Sequence, residues 1–331
     1  MKQLRTRELL FGENAARADV DQPWEQDNQA WWDWYVSLAE NPTPSGPLRA
    51  IAEVASDAVR SLREVEDTLR TPYAVSEDVV ERFRREGYVK LPNVLSADAC
   101  AVLRRAMLDS LEREFRVHLD GGVRERFLSL ELMWLRDPIL RDYVLSPRIA
   151  GIAARLLDVP AVRLYHDNIL SKEPGCGRTP WHYDDHHFPL DTHDVVTAWI
   201  PAQPIPKDMG PLAFAADIDI YRAVADVPFS KTDTSYDRTI SEIFTERDVP
   251  IHDDAFGLGE VSFHHNLCFH TAGPNRTQRS RLVLANTYFA DGSRVMKRPT
   301  MVSGDWQKFM PGVNPGEVAN SDRNPICWPT A

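Results

Sequence analysis

Apolar residues recur at helical spacing in the first half of the chain and at strand spacing in the second. Near the start, Trp24, Trp31, Trp32, Trp34 and Tyr35 crowd one segment, the run NPTPSGP (41–47) breaks it, and a second helix is expected from Leu48 to Leu69. A helix burying these rings against the main body is the expected reading, with a ligand cage or a dimer surface as alternatives. From Val75 the signals sharpen. Ser76 stands where a helix cap belongs, Glu77 and Asp78 follow in the first turn, Val79, Val80 and Phe83 share a face, and Gly87 is the stop. Tyr88 to Leu91 reads as a short strand. Ser96 opens a longer helix whose stripe runs Cys100, Leu103, Met107, Leu111 and Phe115. Ser146-Pro147 opens a third, ending near Leu157 before Pro160. Beyond Pro160, the runs VRLYHDNILS, VVTAWIPA, GEVSFHH and RLVLANTYF are divided by Pro, Gly and Asp, which predicts an antiparallel sandwich or barrel. Ile220 to Pro250, charged and without clear period, reads as an inserted loop or lid.

Composition narrows the function classes. A chain of 331 residues fits two average domains or one sandwich with helical additions, and 43% hydrophobic with 26% charged residues supplies a core. A net charge of -11 argues against a nucleic-acid surface, which needs a basic stripe. Cys100, Cys176, Cys268 and Cys327 form no C-x-x-C pair and fit reduced thiols. The start, MKQLRTRELLFGEN, has no apolar h-region, and no stretch approaches the roughly 18 apolar residues of a spanning helix. A cytoplasmic location without membrane association is expected.

A metal held on one face by nitrogen and oxygen donors keeps adjacent positions open, the arrangement of non-haem Fe(II) oxygenases. Its sequence form is His-x-Asp plus a distant His. Residues i and i+2 of a strand point the same way, so His-x-Asp at a strand end brings imidazole and carboxylate together. The spacing occurs three times, at His118/Asp120, His182/Asp184 and His252/Asp254. His118 falls at the end of a long helix before Gly121-Gly122, a capping position. His252 precedes His270 by only 18 residues, leaving little room for intervening strands. His182 lies between the loop KEPGCGRTPW and the strand VVTAWI, with ample chain before a distal histidine. The candidates for that histidine are His264, His265 and His270. Arg281, eleven residues after His270, begins a β-rich run and favours His270. An arginine there offers a planar, permanently charged fork to a carboxylate such as the distal end of 2-oxoglutarate. Arg279 shares the parity of Arg281, and only spacing from His270 favours the latter. Asp185, His186, His187 and His193 read equally as a substrate mouth or a solvated loop. Lys172 reads as a surface lysine.

Taken in order, these pieces resemble the phytanoyl-CoA dioxygenase family of Fe(II)/2-oxoglutarate oxygenases. The resemblance runs from Val75 to Phe289, through SEDVVERFRREGYVKLPNVLSADACAVLR, K-E-P-G…W-H-Y-D and F-H-T-A-G-P-N-R-T-x-x-x-R. It implies a mainly β chain with helical additions: a double-stranded β-helix (jelly-roll, cupin-like) core flanked by α-helices over 73–331, and a helical N-terminal extension, 1–72, packed on it. It further implies Fe(II) held by His182, Asp184 and His270, the 2-oxoglutarate C5 carboxylate on Arg281, and Trp199 and Asn168 beside that cosubstrate. Where the family often has Ser two residues after the distal His, this chain has Ala272, and Thr271 is expected to substitute. The stretch KDMGPLAFAADIDI keeps Gly210-Pro211-Leu212 but loses the family's Pro-Gly-Ser-His turn, so the following loop is remodelled. The carboxylate of Asp184 argues against halogenation, because related halogenases have Gly or Ala there. The implied activity is O2-dependent hydroxylation of a small molecule in specialised metabolism. Alternatives are desaturation or ring closure, an acyl-CoA substrate, and a metal-bound structural module. An acidic chain without a basic cluster speaks against CoA, and Arg281 against a purely structural site. A homodimer through the Trp-rich N-terminal helices is the further partner expected.

Overall fold

The helices of the first half begin and end where side chains can satisfy their free backbone groups. A computed structural model describes residues 28–40, 46–51, 61–117, 119, 122–230, 232–299 and 306–329, so Trp24, most of the 41–47 breaker and the His118/Asp120 pair lie outside the described residues. Helix α1 spans Asn28–Ser37. Helix α2 is Leu62–Arg70, capped by the Ser61 hydroxyl accepting from the Glu64 amide. Of the helix expected over Leu48 to Leu69, the described residues 48–51 are not helical, Arg49 instead bridging to Thr277, and 62–69 are. Helix α3, Glu77–Glu86, stops at Gly87 in the left-handed region (φ 80°), with Ser76 at the cap position but making no capping bond. Strand β1 is Tyr88–Leu91. Helix α4, Ala97–Phe115, buries Cys100, Leu103, Met107 and Leu111. Strand β2 (Phe127–Glu131) and helix α5 (Pro138–Val144) follow, the latter capped by Asp137 and too short to announce itself by periodicity. Helix α6 is Pro147–Leu157, as the Ser-Pro signal predicts.

The second half supplies most of the sheet structure: β3 (Val162–Lys172), β4 (Thr179–His182), β5 (Val195–Pro201) and β6 (Leu212–Ala215), then helix α7 (Ser235–Glu246), then β7 (Ile251–His252), β8 (Val261–His265), β9 (His270–Ala272), β10 (Arg281–Ala290) and β11 (Ile326–Trp328). The 220–250 segment is thus not a plain loop. Its helix places Tyr236, Ile240 and Phe244, spaced by four, against Trp181 and Phe269, a stripe hidden in sequence by the charges between them.

Two antiparallel sheets pack face to face in the jelly-roll arrangement. The larger has the order β1-β8-β5-β10-β3-β11, with β2 also paired to β3, and the smaller β4-β9-β6-β7. Strand alternation sorts the central strands. On β10, Leu282 and Leu284 pack with the helix layer, while Val283 and Ala285 face the smaller sheet. On β5, Val196, Ala198 and Ile200 go to the helices and Trp199 to the inner side. Helices α2 to α6 cover the outer face of the larger sheet. Helix α1 does not join them and packs at the inner side, so the N-terminal extension serves two different layers. A bulge breaks the β3 register between Thr287↔His166 and Tyr288↔Leu164, leaving Tyr165 as the extra residue. All four cysteines are free and buried. None of the described helices is long and apolar enough to cross a membrane.

Candidate metal and cosubstrate site

Pairing of β4 with β9 sets His182 directly opposite His270, with ring centroids 4.1 Å apart. Asp184 opens a short 3-10 turn two residues later, and its Oδ1 lies 3.8 Å from His182 Nε2 and 3.7 Å from His270 Nε2. The donor atoms of these three residues all lie within 4.8 Å of one another. Each imidazole is oriented from behind, His182 Nδ1 donating to the Pro180 carbonyl (2.8 Å) and His270 Nδ1 to that of Cys268 (3.0 Å). A carbonyl can only accept, so both Nδ1 atoms carry the hydrogen and both Nε2 lone pairs are left for a metal.

The second carboxylate oxygen of Asp184 is held by other residues. Thr197 Oγ1 donates to Oδ2 (3.3 Å) and lies 3.0 Å from the Thr287 hydroxyl. His264 Nε2 lies 3.3 Å from the same oxygen. His264 therefore has the opposite tautomer, Nε2–H, which agrees with its buried Nδ1 making no hydrogen bond among the described residues. His264 is not one of the three clustered donors; it orients one of them. Burial pushes His182 and His270 toward the neutral form. Burial opposes the charge of Asp184 as well, but the adjacent His270 and the His264 hydrogen bond outweigh it and hold the carboxyl well below its usual range. Two neutral imidazoles and a carboxylate form the protonation state that takes up a divalent cation.

Arg281 lines the same cavity and is 1% exposed. Its Nη1 donates to the Gly210 carbonyl (2.7 Å), its Nε–H makes no hydrogen bond among the described residues, and its guanidinium lies 5.3 Å from the Trp199 ring. Burial pushes it down to about 10, and among the described residues no carboxylate pairs with it. A buried cation left without an anion is costly, so this environment fits a bound carboxylate. Gly210 is essential to that geometry: at φ 77° its backbone passes so close to Gly273 that a Cβ would lie 2.2 Å from the Gly273 carbonyl oxygen.

Lys172 corrects the sequence reading, because it is fully buried rather than a surface residue. It stands opposite Arg281 in the β3/β10 register and donates to the carbonyls of Gly273 (2.7 Å) and Ala272 (3.2 Å) and to Thr179 Oγ1 (3.2 Å). Burial, and then Arg281, push its ammonium well down. Thr271 is also corrected. Alternation turns His270 and Ala272 into the cavity and Thr271 out of it, where its hydroxyl donates to the Thr179 carbonyl (2.5 Å) and accepts from Arg178 (2.9 Å). Trp199 and Asn168 do line the cavity, Asn168 Oδ1 accepting from Ser129 (2.6 Å). Arg279 lies just before β10 and does not line it.

The polar turn after Asp184 is packed rather than solvated. Asp185 is 1% exposed and accepts from Asn266 Nδ2 (2.7 Å) and His193 Nδ1 (3.1 Å), while His186 packs on Tyr183. His187 borders the cavity, and burial holds it at about 4. His252 is on the edge strand β7, hydrogen-bonded to Tyr88 (2.5 Å), away from the triad. The bulge at Tyr165 lets Tyr165 and His166 both face the cavity, where regular alternation would admit one. Trp31, Trp32 and Tyr35 of α1 form another wall of the cavity, beside the triad. Tyr35 stands edge-on to His182 at 5.4 Å and Trp32 stacks on Phe127 at 4.6 Å. Trp31, Trp32 and Tyr35 thus pack on the body and line the ligand space too. Sequence gave no signal for His264 as a support, since that depends on its pairing opposite Thr197.

A model of the phytanoyl-CoA dioxygenase (PhyH) family matches residues 83–283. No curated protein matches the chain. Among solved structures, the non-haem α-ketoglutarate-dependent carbocyclase SnoK from nogalamycin biosynthesis is 24% identical with a TM-score of 0.62, over 77% of this chain and 99% of that one. The epimerase SnoN, in complex with Fe3+, α-ketoglutarate and nogalamycin RO, is 23% identical with a TM-score of 0.57, over 76% and 98%. EctD from S. alaskensis, with 2-oxoglutarate and 5-hydroxyectoine, is 20% identical with a TM-score of 0.59, over 87% and 99%.

Proposed function

Because the chain belongs to the phytanoyl-CoA dioxygenase family, we propose that it is an Fe(II)- and 2-oxoglutarate-dependent oxygenase that hydroxylates a small molecule in specialised metabolism. The observation that carries this reading is a single cavity lined by a three-donor cluster and by a buried arginine with which, among the described residues, no carboxylate pairs. His182, Asp184 Oδ1 and His270 would hold Fe(II), and Arg281 the distal carboxylate of 2-oxoglutarate. When bound, iron with 2-oxoglutarate and O2 supplies the oxidising power for a C–H bond. The chain's own residues do the rest. The Pro180 and Cys268 carbonyls fix the imidazole tautomers, and His264 and Thr197 fix the carboxylate. Trp199 covers the Arg281 guanidinium, and Asn168, which lines the same cavity, would border the cosubstrate.

An acyl-CoA substrate has less support, because Lys308, the other lysine or arginine lining the cavity, is paired with Glu131 at 2.7 Å. A homodimer through α1 also has less, because Trp31, Trp32 and Tyr35 turn toward the chain's own cavity, and analytical ultracentrifugation tests it. A cytoplasmic location is supported by the free cysteines. The oxygenase reading is tested by adding Fe(II) and 2-oxoglutarate to the protein without oxygen. A visible metal-to-ligand absorption band is expected, followed by succinate on admitting O2. No band and no succinate would refute it.

A further inference from the structure

We propose that α1 is the substrate wall of the cavity and that it receives a planar, oxygen-bearing aromatic ring, an inference that rests on the oxygenase reading above. Helix α1 lies outside the segment shared with the family, yet three of its side chains line the cavity. Nearly the whole of SnoK aligns with only 77% of this chain, so the chain carries structure beyond the common core. Together with Phe127 of β2, the three side chains form two stacked pairs. Trp31 and Tyr35 lie 4.7 Å apart and within 15° of parallel, and Trp32 and Phe127 lie 4.6 Å apart and within 22°. Flat π surfaces in such arrays favour a further ring in offset or edge contact over a puckered one of equal size. Tyr35 also touches the edge of the His182 ring, so a molecule held on this wall is presented to the metal end.

Polar chemistry narrows the class. Trp31 is 8% exposed and its Nε1–H makes no hydrogen bond among the described residues, although indole N–H is an obligate donor. A buried donor beside a cavity is satisfied by a ligand acceptor, here a phenolic, quinone or carbonyl oxygen. The charged groups around the cavity are already engaged: Asp184 with its histidines, Lys308 with Glu131, and Arg281 assigned to the cosubstrate. An uncharged ring therefore fits better than an anionic one. The wall is held in place by its own anchors. Gln29 donates to the Phe127 carbonyl (2.6 Å) and accepts from the Ser129 amide (3.1 Å), sealing the free edge of β2, and the Glu40 amide donates to Asp237 on α7 (2.8 Å).

The test uses the full chain with Fe(II) and 2-oxoglutarate under anaerobic conditions, titrated calorimetrically with 2-naphthol and with decahydro-2-naphthol, which has the same skeleton and hydroxyl without planarity. 2-Naphthol is expected to bind at least tenfold more tightly. Replacing both Trp31→Leu and Trp32→Leu should remove that preference. The gentler Trp31→Phe keeps a ring and should weaken 2-naphthol at least threefold while leaving 2-methylnaphthalene unchanged, so the idea stays testable even if the double variant does not fold. Equal affinity for the saturated alcohol, no binding of 2-naphthol, or a preference that survives the double replacement overturns the proposal. An absent iron–cosubstrate band in the parent protein refutes the oxygenase reading instead, and the naphthol comparison still reports on the wall.

Discussion

Around His182, Asp184 and His270, the assisting side chains Thr197, His264 and Arg281 stand on strands whose register backbone hydrogen bonds fix, whereas Trp31, Trp32 and Tyr35 stand on a helix tied down by a few side-chain contacts. A slip of one residue in β9 would exchange His270 for Thr271 and turn the chemistry out of the cavity. No such constraint binds α1, where one aromatic residue can replace another without disturbing any ladder. The sheet side is thus built for an invariant reaction, and the helix side for choice of what is oxidised.

That contrast can be broken by experiment. The largest effect is expected on the sheet side: Asp184→Ala should abolish succinate formation with the fold intact by circular dichroism, and a fully active variant would remove Asp184 from the ligand set. Arg281→Ala should raise the 2-oxoglutarate concentration for half-saturation by roughly 100-fold, the cost of leaving a buried carboxylate without its charged partner. An unchanged requirement would mean that the carboxylate is held elsewhere. His264→Phe should weaken Fe(II) binding by about 10- to 100-fold, as loss of a group orienting a ligand typically does, with a normal melting profile. Iron affinity equal to the parent's would make His264 simple packing.

On the helix side, the expected loss is in stability. Asp237 is 1% exposed and accepts from the Trp181 amide (2.7 Å), the Glu40 amide and Arg178. Asp237→Ala strands all three donors and should cost about 3 kcal/mol, or roughly 4 °C in Tm for a chain of this length, while the iron–cosubstrate band persists. A Tm unaffected by the change would show that α1 is anchored some other way. A further expectation concerns pH. Burial holds His166, His187 and His265 at about 4, against about 6.5 in the unfolded chain. Between these values the unfolded state binds the extra protons, so stability present above pH 6.5 should be lost as pH falls toward 4. A Tm constant across that window would contradict it.

Much of this was legible from sequence where local chemistry decides. Ser96, Gly87 and Ser146-Pro147 mark helix limits because caps act within one turn, and His182, Asp184, His270 and Arg281 stand out by type and spacing. What stayed hidden depends on pairing. Lys172 and Arg281 are basic residues paired across two strands, one satisfied by carbonyls and the other with an N–H that has no partner among the described residues, a distinction no spacing reveals. Thr271 failed for a reason the sequence did contain, since strand parity places Ala272, not Thr271, beside His270. Helix α7 was masked by its charges, because Asp237 is buried through contacts 56 and 197 residues away.

The bulge in β3 carries a consequence for heredity. One inserted residue, Tyr165, gives the pocket two neighbouring side chains while the ladder on both sides keeps its partners. A lineage can in this way recontour the cavity by a three-nucleotide insertion, without first tolerating a misfit at any position already in use. The reverse change is equally open: deleting Tyr165 would set Leu164 and His166 side by side opposite the adjacent Tyr288 and Thr287, so both stretches of ladder again keep their partners. A bulge at such a point is thus a place where the lining of the cavity can change while the sheet that carries the chemistry stays as it is.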